Sequence, residues 1–253
     1  MPGEHALLSP SGAKKWINCP GSVEMESHIE EKPSAYADEG STAHALAELK
    51  INKELKRITN AVYGRKVKKL EIDPDMDEYT DAYRDYVMER YADAKKLSEN
   101  AEIYIEKRLD LSEWAPESFG TADVIIVTAG RTEIIDFKYG RGVRVGAAGN
   151  DQLALYVLGA LAEFVYLYDI NEVITTIYQP RMDHIDTASY QPEALREWGE
   201  KTVKPQAEKA YQGMKVYQCG AHCDEGFCKA RPVCLAYNDS KLELARYEFK
   251  HPN

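Results

Sequence analysis

The chain has 253 residues, which is enough for one large domain with a substantial buried core. Its 44% hydrophobic and 29% charged residues are typical of a globular protein, and no apolar run approaches the roughly 20 residues that span a bilayer. The formal net charge of −10 argues against nonspecific coating of nucleic acid, which requires an excess of Lys and Arg, but it allows a local basic channel.

The N-terminal sequence and the cysteines both bear on the compartment. Residues 1–15, MPGEHALLSPSGAKK, lack the basic and then apolar order of a secretion signal, which predicts a cytoplasmic location. Cys19 stands alone, and four further cysteines lie within residues 219–234. An odd number of cysteines in a cytosolic chain argues against a disulfide framework and favours metal or cluster ligation.

The first hundred residues are predicted to be mainly helical. Ser9 or Ser11 is a candidate cap for a short helix that breaks at Pro20. The segment 39–56 has apolar residues at helical spacing and predicts a helix with Ser41 or Thr42 near its start.

Two further segments complete this region. Residues 62–76, VYGRKVKKLEIDPDM, are predicted to be a polar connector. Residues 76–100 predict a long amphipathic helix, and its aromatic stripe is expected to pack in the core; the stripe consists of Tyr79, Tyr83, Tyr86, Val87 and Tyr91.

Strand patterns begin after residue 100. Residues 102–111 alternate, residues 120–130 and 131–140 read as a hairpin through Thr-Ala-Gly-Arg, and residues 150–164 read as a helix. A strand over 171–182 and a closing helix over 192–214 follow, before the cysteine cluster. The order predicts an α/β fold in which a mixed sheet is flanked by helices.

Two acids and an amine suggest a metal site in the predicted hairpin. Asp136 and Lys138 share one face of their strand because side chains alternate. Asp123 is expected at the head of the neighbouring strand, where it would converge with Asp136. Two converging carboxylates repel each other unless a cation such as Mg²⁺ lies between them, and Lys138 would then align or polarise an attacking water.

Asp123, followed by Asp136-Phe137-Lys138, resembles the motif of the PD-(D/E)XK nucleases. Gln152 and Tyr156, four residues apart on one helix face, resemble the QxxxY motif of the RecB-type branch. Gly40 to His44 resembles its Gly-x-x-x-His motif, whose imidazole joins the metal ligands. The cysteine layout is similar to that of the iron–sulfur RecB-type nucleases, which include the AddB-type and CRISPR-associated exonucleases and small phage-encoded members.

The resemblance implies a restriction-endonuclease-like core within a single nuclease domain over 1–253. It implies a cluster-binding subregion over 1–30 and 205–240 that joins the N- and C-terminal segments. A helical region would occupy 31–100 and the catalytic α/β core 101–205. The family's last three cysteines usually have the spacing Cys-x2-Cys-x5-Cys, whereas four residues separate Cys223 from Cys228 here.

The cysteines implied as ligands would bind either an iron–sulfur cluster or a zinc ion. A [4Fe–4S] cluster takes four thiolates, and the resemblance assigns them to Cys19, Cys223, Cys228 and Cys234. Cys219 would then be spare or would replace Cys223. A Zn²⁺ ion is the alternative, bound by the same sulfurs or by three of them with His222. Either metal would mainly stabilise the fold by joining the N- and C-terminal segments of the chain.

The resemblance also assigns the remaining site residues. His44 and Glu106 would join the two aspartates in holding Mg²⁺ or Mn²⁺, although Glu102 competes with Glu106 for this role. Gln152 would contact the substrate near the metal, and Tyr156 would hold the helix or stack on a base or sugar. Arg141 and Arg144, in the glycine-bearing loop 139–150, are candidates for phosphate contacts or plain surface residues.

These features lead to one expected function and two alternatives. The expected function is a divalent-metal-dependent deoxyribonuclease, by implication an exonuclease that acts on single-stranded DNA or duplex ends in phage recombination or repair, in the host cytoplasm. One alternative is a noncatalytic nucleic-acid-binding or assembly module with the cysteine cluster as its scaffold. The other is a metal-dependent hydrolase with a different substrate.

Overall fold

A computed structural model describes residues 6–30, 35–164 and 168–250, without the side chains of 35–37 and 248. The chain divides into two compact units. Unit 1 consists of Met1–Glu31, Asp110–Gly120 and Arg196–Asn253, and unit 2 consists of Lys32–Leu109 and Thr121–Leu195.

Unit 2 contains the sheet and the helices that pack on it. Its helices are α3 (Ala35–Glu54), α4 (Asn60–Val67), α5 (Pro74–Leu97) and α6 (Asp151–Phe164). The start of α5 follows from its sequence: the Asp73 carboxylate accepts a hydrogen bond from the Met76 N–H at 2.8 Å, and Pro74 occupies the first helical position.

The sheet has five strands in the order β1-β2-β3-β4-β5. They are β1 (Glu102–Asp110), β2 (Phe119–Thr128), β3 (Gly130–Phe137), β4 (Ile170–Gln179) and β5 (His184–Tyr190). β2 pairs antiparallel with β3, β3 parallel with β4, and β4 antiparallel with β5, so the sheet is mixed. The α/β class and the mixed sheet flanked by helices are therefore confirmed.

The aromatic stripe of α5 packs in the core, as the sequence predicts. Tyr83 and Val87 are buried, and the other tyrosines of the stripe pack against the same cluster. The Tyr83 ring stacks on Phe137 of β3, with ring centroids 4.4 Å apart and an interplanar angle of 19°. This contact fixes α5 against the strand that carries Asp136.

Several elements differ from the sequence predictions. Helix α3 begins at Ala35, so Ser41 and Thr42 lie inside it, and the predicted connector overlaps α4 and the first turn of α5. The sequence reading missed β5, whose alternating, partly exposed residues lie between a 3-10 turn at Pro180–Met182 and α7 (Pro192–Trp198). β5 carries few large apolar side chains, so its two-residue period is weak beside the long 3.6-residue periods of the neighbouring helices.

Unit 1 consists of short helices around the cysteines. A 3-10 turn at Pro10–Gly12 leads into α1 (Ala13–Asn18) and α2 (Gly21–Ser27), but neither Ser9 nor Ser11 provides a side-chain cap. A π-helical segment at Gly199–Val203 joins α7 to α8 (Lys204–Tyr211), in place of one regular closing helix. α9 (Ala221–Glu225) and α10 (Leu235–Lys250) follow; the sequence reading did not identify α10.

None of the helices within the described ranges is long and apolar enough to cross a membrane.

Thr132 of β3 provides a test of the core. Its side chain is fully buried, its hydroxyl has no hydrogen-bond partner in the described part of the chain, and its neighbours on β2 and β4 are Val127 and Val173. Thr132→Val removes the unsatisfied hydroxyl, so we expect the free energy of unfolding in urea to rise by about 1 kcal/mol.

The matched control is Thr176→Val, because the Thr176 hydroxyl is buried but contacts the Thr187 hydroxyl at 3.1 Å. This variant is expected to lower the free energy of unfolding by about 1 kcal/mol. Equal effects of the two substitutions would contradict the assignment of Thr132 as unsatisfied.

Candidate metal and hydrolytic site

Asp123 and Asp136 face each other across β2 and β3. The hairpin turns tightly at Ala129-Gly130, where Gly130 has a φ of 90°, and its paired residues run from Thr128 with Arg131 to Val124 with Ile135. Each aspartate is the next residue beyond the last pair, so the register brings the two together. Asp123 lies in the middle of β2, which corrects its expected position at the head of that strand.

Asp123 forms part of a three-residue group with His44 and Glu106. One ligand atom from each of these residues lies within 4.8 Å of the other two. His44 Nδ1 is 3.2 Å from Asp123 Oδ1, and the Phe137 N–H donates a hydrogen bond to Asp123 Oδ2 at 2.7 Å. Both Asp123 oxygens are therefore held in place by neighbours on α3 and β3.

Position along β1 explains why Glu106 rather than Glu102 joins this group. The two glutamates are four residues apart, and at about 3.3 Å per residue their Cα atoms lie roughly 13 Å from each other, so Glu102 is too far along the strand. Glu106 also has a φ of 49°, in the left-handed region that few non-glycine residues adopt. Glu102 is exposed and accepts a hydrogen bond from the Tyr104 hydroxyl.

A chain of polar contacts connects Asp136 with α6. Lys138 Nζ lies 2.9 Å from Asp136 Oδ2 and donates a hydrogen bond to Gln152 Oε1 at 2.9 Å. Gln152 Nε2 in turn donates to the Tyr156 hydroxyl at 3.2 Å. The predicted Asp136–Lys138 pair and the Gln152–Tyr156 pair thus form one connected network.

The charges of this site shift its proton affinities. Burial alone would lower the pKa of His44, but Asp123, and to a lesser extent Asp136 and Glu106, raise it to about 9. Burial and the negative charge of Asp123 raise the pKa of Glu106 to about 8. Burial also raises the pKa of Asp136, against the opposing charge of Lys138. The metal-free site therefore holds extra protons at neutral pH.

These shifts predict a pH-dependent stability of the metal-free protein. The pKa of His44 rises from 6.5 and that of Glu106 from 4.5, so the folded state binds more protons than the unfolded state between about pH 4.5 and 9. Stability must then fall as the pH rises through this window. In EDTA we expect the melting temperature to be at least about 3 °C lower at pH 8.5 than at pH 6.

Glu106→Gln is the control for this effect, since it removes one of the two groups with raised pKa, and it should reduce the difference between the two pH values. An EDTA-treated wild-type protein whose melting temperature is the same at pH 6 and pH 8.5 would contradict the assigned shifts.

The donor set fits a divalent cation. Asp136 is 3% exposed, and its Oδ2 accepts no well-aligned hydrogen bond despite its proximity to Lys138. Tyr83 borders the same cavity as His44, Glu106 and Asp123, and its hydroxyl also has no hydrogen-bond partner among the residues that the structure describes. Carboxylate oxygens with one imidazole suit Mn²⁺ or Mg²⁺, and a cation there would offset the crowded negative charges.

Two residues at this cavity were missed as functional candidates. Glu48 lies one helical turn after His44 and lines the same space. Its i+4 spacing from His44 was a usable signal in the sequence. Tyr83 was predicted only as a core residue, and nothing in its periodicity indicates the environment of its hydroxyl. Arg141 and Arg144, by contrast, are exposed in the loop between β3 and α6.

The cysteines of unit 1 converge on a separate cavity. Four of them line it, and these are the four assigned from the sequence: Cys19, Cys223, Cys228 and Cys234. His222 also lines the cavity, while its imidazole contacts the Gln218 carbonyl at 2.9 Å. Cys219 is not among the lining residues.

A close backbone contact brings the two distant segments of this region together. The Gly21 N–H donates to the Val216 carbonyl at 2.9 Å, and the Gln218 N–H lies 3.4 Å from Cys19 Sγ. A Cβ atom on Gly21 would lie 2.5 Å from the Tyr217 ring, so only glycine permits this approach. Burial raises the pKa of Cys19 in this environment.

Within the described ranges, no three cysteine sulfurs lie as close together as the ligand atoms of a single ion. In a tetrahedral zinc site the Zn–S distance of about 2.3 Å places sulfurs about 3.8 Å apart. Throughout the described ranges, the one group of three or more ligand atoms mutually within 4.8 Å is that of His44, Glu106 and Asp123. The cysteines form no such group.

Comparisons with known proteins show where the chain belongs. A solved structure described as "Crystal structure of SSO0001" aligns with 86% of this chain and 95% of its own, at 14% sequence identity and a TM-score of 0.31. The family model described as "Protein of unknown function (DUF2800)" matches residues 5–253. Because this match spans nearly the whole chain, the protein is a member of the DUF2800 family.

Proposed function

We propose that the protein is a divalent-metal-dependent deoxyribonuclease with a PD-(D/E)XK core of the RecB type, acting as an exonuclease on DNA ends. One observation carries this proposal: the group formed by His44, Glu106 and Asp123 lies beside the buried Asp136–Lys138 pair on adjoining strands. A site that only binds nucleic acid gains nothing from converging carboxylates, because they repel phosphate.

The three ligand residues and Asp136 would hold Mn²⁺ or Mg²⁺. Bound there, the cation would supply Lewis-acid polarisation of a phosphodiester and of a water nucleophile. The protein contributes the fixed orientation of the ligands: His44 and the Phe137 N–H constrain Asp123, and the ring of His44 packs edge-on to Phe137 with centroids 5.2 Å apart. Such constraint reduces reorganisation when the substrate binds.

Lys138 is the positively charged residue of the proposed catalytic site. Burial would lower its pKa, but Asp136 and Asp123 raise it above the ordinary value, so the amine remains protonated at neutral pH. A protonated amine in this position orients the attacking water and stabilises the negative charge that develops on the phosphoryl oxygens. Its contact with Gln152 holds the amine in place.

The residues around this centre have supporting roles. Gln152 positions Lys138 and, with its amide, contacts the substrate. Tyr156 is buried and anchors Gln152 by hydrogen bonding. Arg141 and Arg144, on the exposed loop that follows β3, bind DNA phosphates.

The cysteine cavity fits a [4Fe–4S] cluster held by Cys19, Cys223, Cys228 and Cys234. Each thiolate of such a cluster binds a different iron, so the sulfurs lie farther apart than around one zinc ion, which is compatible with four cysteines that line one cavity without forming a compact single-ion group. The Gln218 N–H, 3.4 Å from Cys19 Sγ, is a donor of the kind that tunes cluster sulfurs. The cluster would stabilise unit 1 by joining its N- and C-terminal segments.

Labelled DNA provides the test of the activity. Purified protein is incubated with end-labelled single-stranded and double-stranded DNA in Mn²⁺, beside an EDTA control, and products are separated by size. We expect shortening of at least one substrate in Mn²⁺ and none in EDTA. Binding of DNA without cleavage would favour the noncatalytic module and contradict the proposal, as would complete inertness toward both substrates.

A further inference from the structure

Tyr83 carries an unexplained buried hydroxyl. The residue is 2% exposed, and its hydroxyl has no hydrogen-bond partner within the described part of the chain. Buried hydroxyl groups in folded proteins nearly always have a partner, and the exceptions tend to mark functional sites or places where an ion or water binds.

The ring of Tyr83 is held firmly between aromatic neighbours. It stacks on Phe137 at 4.4 Å between centroids and lies 5.2 Å from the ring of Tyr178. Because these contacts fix the ring, the hydroxyl cannot turn away to find another partner. Its position is set by α5, β3 and β4 together.

Tyr83 borders the cavity of the three-residue metal group. Tyr83 lines a cavity that is also lined by His44, Glu106, Asp123 and Glu48. The space inside this cavity is small, about 10 Å³. A single water molecule requires roughly that much room, so the space admits one small ion or one water.

Glu106 is the acceptor that matches this hydroxyl. Both oxygens of Asp123 already contact other groups, His44 Nδ1 and the Phe137 N–H, and Asp136 is paired with Lys138. Glu48, the other carboxylate at the cavity, accepts a hydrogen bond from Asn52 Nδ2 at 3.4 Å. Glu106 is the remaining carboxylate that borders the cavity.

We propose that the Tyr83 hydroxyl is a positioning group for the metal site, donating its hydrogen bond to the Glu106 carboxylate when a divalent cation is bound. Hydrogen bonds from outside the coordination shell orient metal ligands, and removing one commonly lowers the affinity for the metal by about 10- to 100-fold. This inference rests on the metal site proposed above. It adds a residue of α5, outside every motif identified in the sequence, to the machinery of that site.

Tyr83→Phe tests the inference, because it removes only the hydroxyl and retains the ring and its stacking. We expect the affinity for Mn²⁺, measured by titration followed by electron paramagnetic resonance, to fall about 10- to 100-fold. The Mn²⁺ concentration for half-maximal cleavage should rise by the same factor. The melting temperature in EDTA should equal or exceed that of the wild type, since an unsatisfied hydroxyl has been removed.

Tyr86→Phe is the matched control on the same helix. The Tyr86 hydroxyl contacts Thr176 and Thr187, away from the metal group, so this variant should bind Mn²⁺ as the wild type does. Wild-type Mn²⁺ affinity in Tyr83→Phe would overturn the inference, and so would a weakened affinity accompanied by a lower melting temperature in EDTA.

Asp123→Asn distinguishes a failure of the proposed metal site from a failure of the proposed role of Tyr83. If Asp123→Asn weakens Mn²⁺ binding and Tyr83→Phe does not, the metal site stands and the role of Tyr83 is refuted. If the wild type binds no Mn²⁺, or Asp123→Asn binds it equally well, the metal site itself is refuted together with the role of Tyr83.

Discussion

Lys138→Ala is expected to lower the rate of Mn²⁺-dependent DNA cleavage by at least about 100-fold, the effect of removing one preorganised charge-stabilising donor. The amine is the one positive group that contacts both Asp136 and Gln152 within the described network. Asp136→Ala should reduce cleavage to a similar extent, because it removes both a candidate metal ligand and the partner that keeps Lys138 protonated. Initial rates at saturating Mn²⁺ provide the measurement.

The control for these variants is Lys96→Ala. Lys96 also pairs with an aspartate, Asp93 at 2.8 Å, but on the exposed face of α5. This variant should cleave at the wild-type rate. The metal content of the cysteine region and the melting temperature should remain close to wild type in Lys138→Ala, so that a loss of activity reports on chemistry. Undiminished cleavage by Lys138→Ala or Asp136→Ala would remove the nuclease proposal.

Asp123→Asn is expected to weaken Mn²⁺ binding more than about 100-fold, a larger loss than removal of an outer hydrogen bond causes. The substitution preserves size, and the new amide oxygen can still accept the hydrogen bond from the Phe137 N–H. What it removes is the negative charge that lies 3.2 Å from His44 and forms part of the ligand group. Isothermal titration with Mn²⁺ measures the affinity directly.

Glu102→Gln is the matched control for this loss of charge. Glu102 is a glutamate of β1 like Glu106, but it is exposed and lies outside the ligand group. It should bind Mn²⁺ with wild-type affinity, whereas Glu106→Gln should resemble Asp123→Asn. A Glu102→Gln variant that loses as much affinity as Asp123→Asn would mean that general charge, and not this site, governs Mn²⁺ binding.

The sequence reveals the parts of the fold that have strong periodicity. The stripe from Tyr79 to Tyr91 predicts α5 and its burial, and the hairpin through Ala129-Gly130 is correct because only glycine readily adopts the φ of 90° found at Gly130. The sequence does not reveal β5, because its few apolar residues give a weak alternating signal. It misplaces the start of α3, because Ser and Thr also occur inside helices, where their hydroxyls bond to the preceding turn, as the Thr42 hydroxyl does by donating to the Asp38 carbonyl.

The candidate site shows the same division. Asp136, Lys138, Gln152 and Tyr156 follow from strand and helix periods, and the structure connects them by hydrogen bonds and an ion pair. The choice of Glu106 over Glu102 depends on how far along β1 the ligand group lies, which strand alternation alone does not give because it places both residues on one face. Nor does the sequence show that the Tyr83 hydroxyl has no partner, since this depends on the packing of three separate elements.

The central claim is that His44, Glu106 and Asp123, beside Asp136, bind one divalent cation. Anomalous X-ray diffraction from crystals grown with Mn²⁺ tests it most directly. We expect a single strong anomalous peak in unit 2, about 2–2.5 Å from ligand atoms of His44, Glu106 and Asp123. The claim is contradicted if these three side chains are ordered but surround no such peak at a Mn²⁺ concentration sufficient for cleavage.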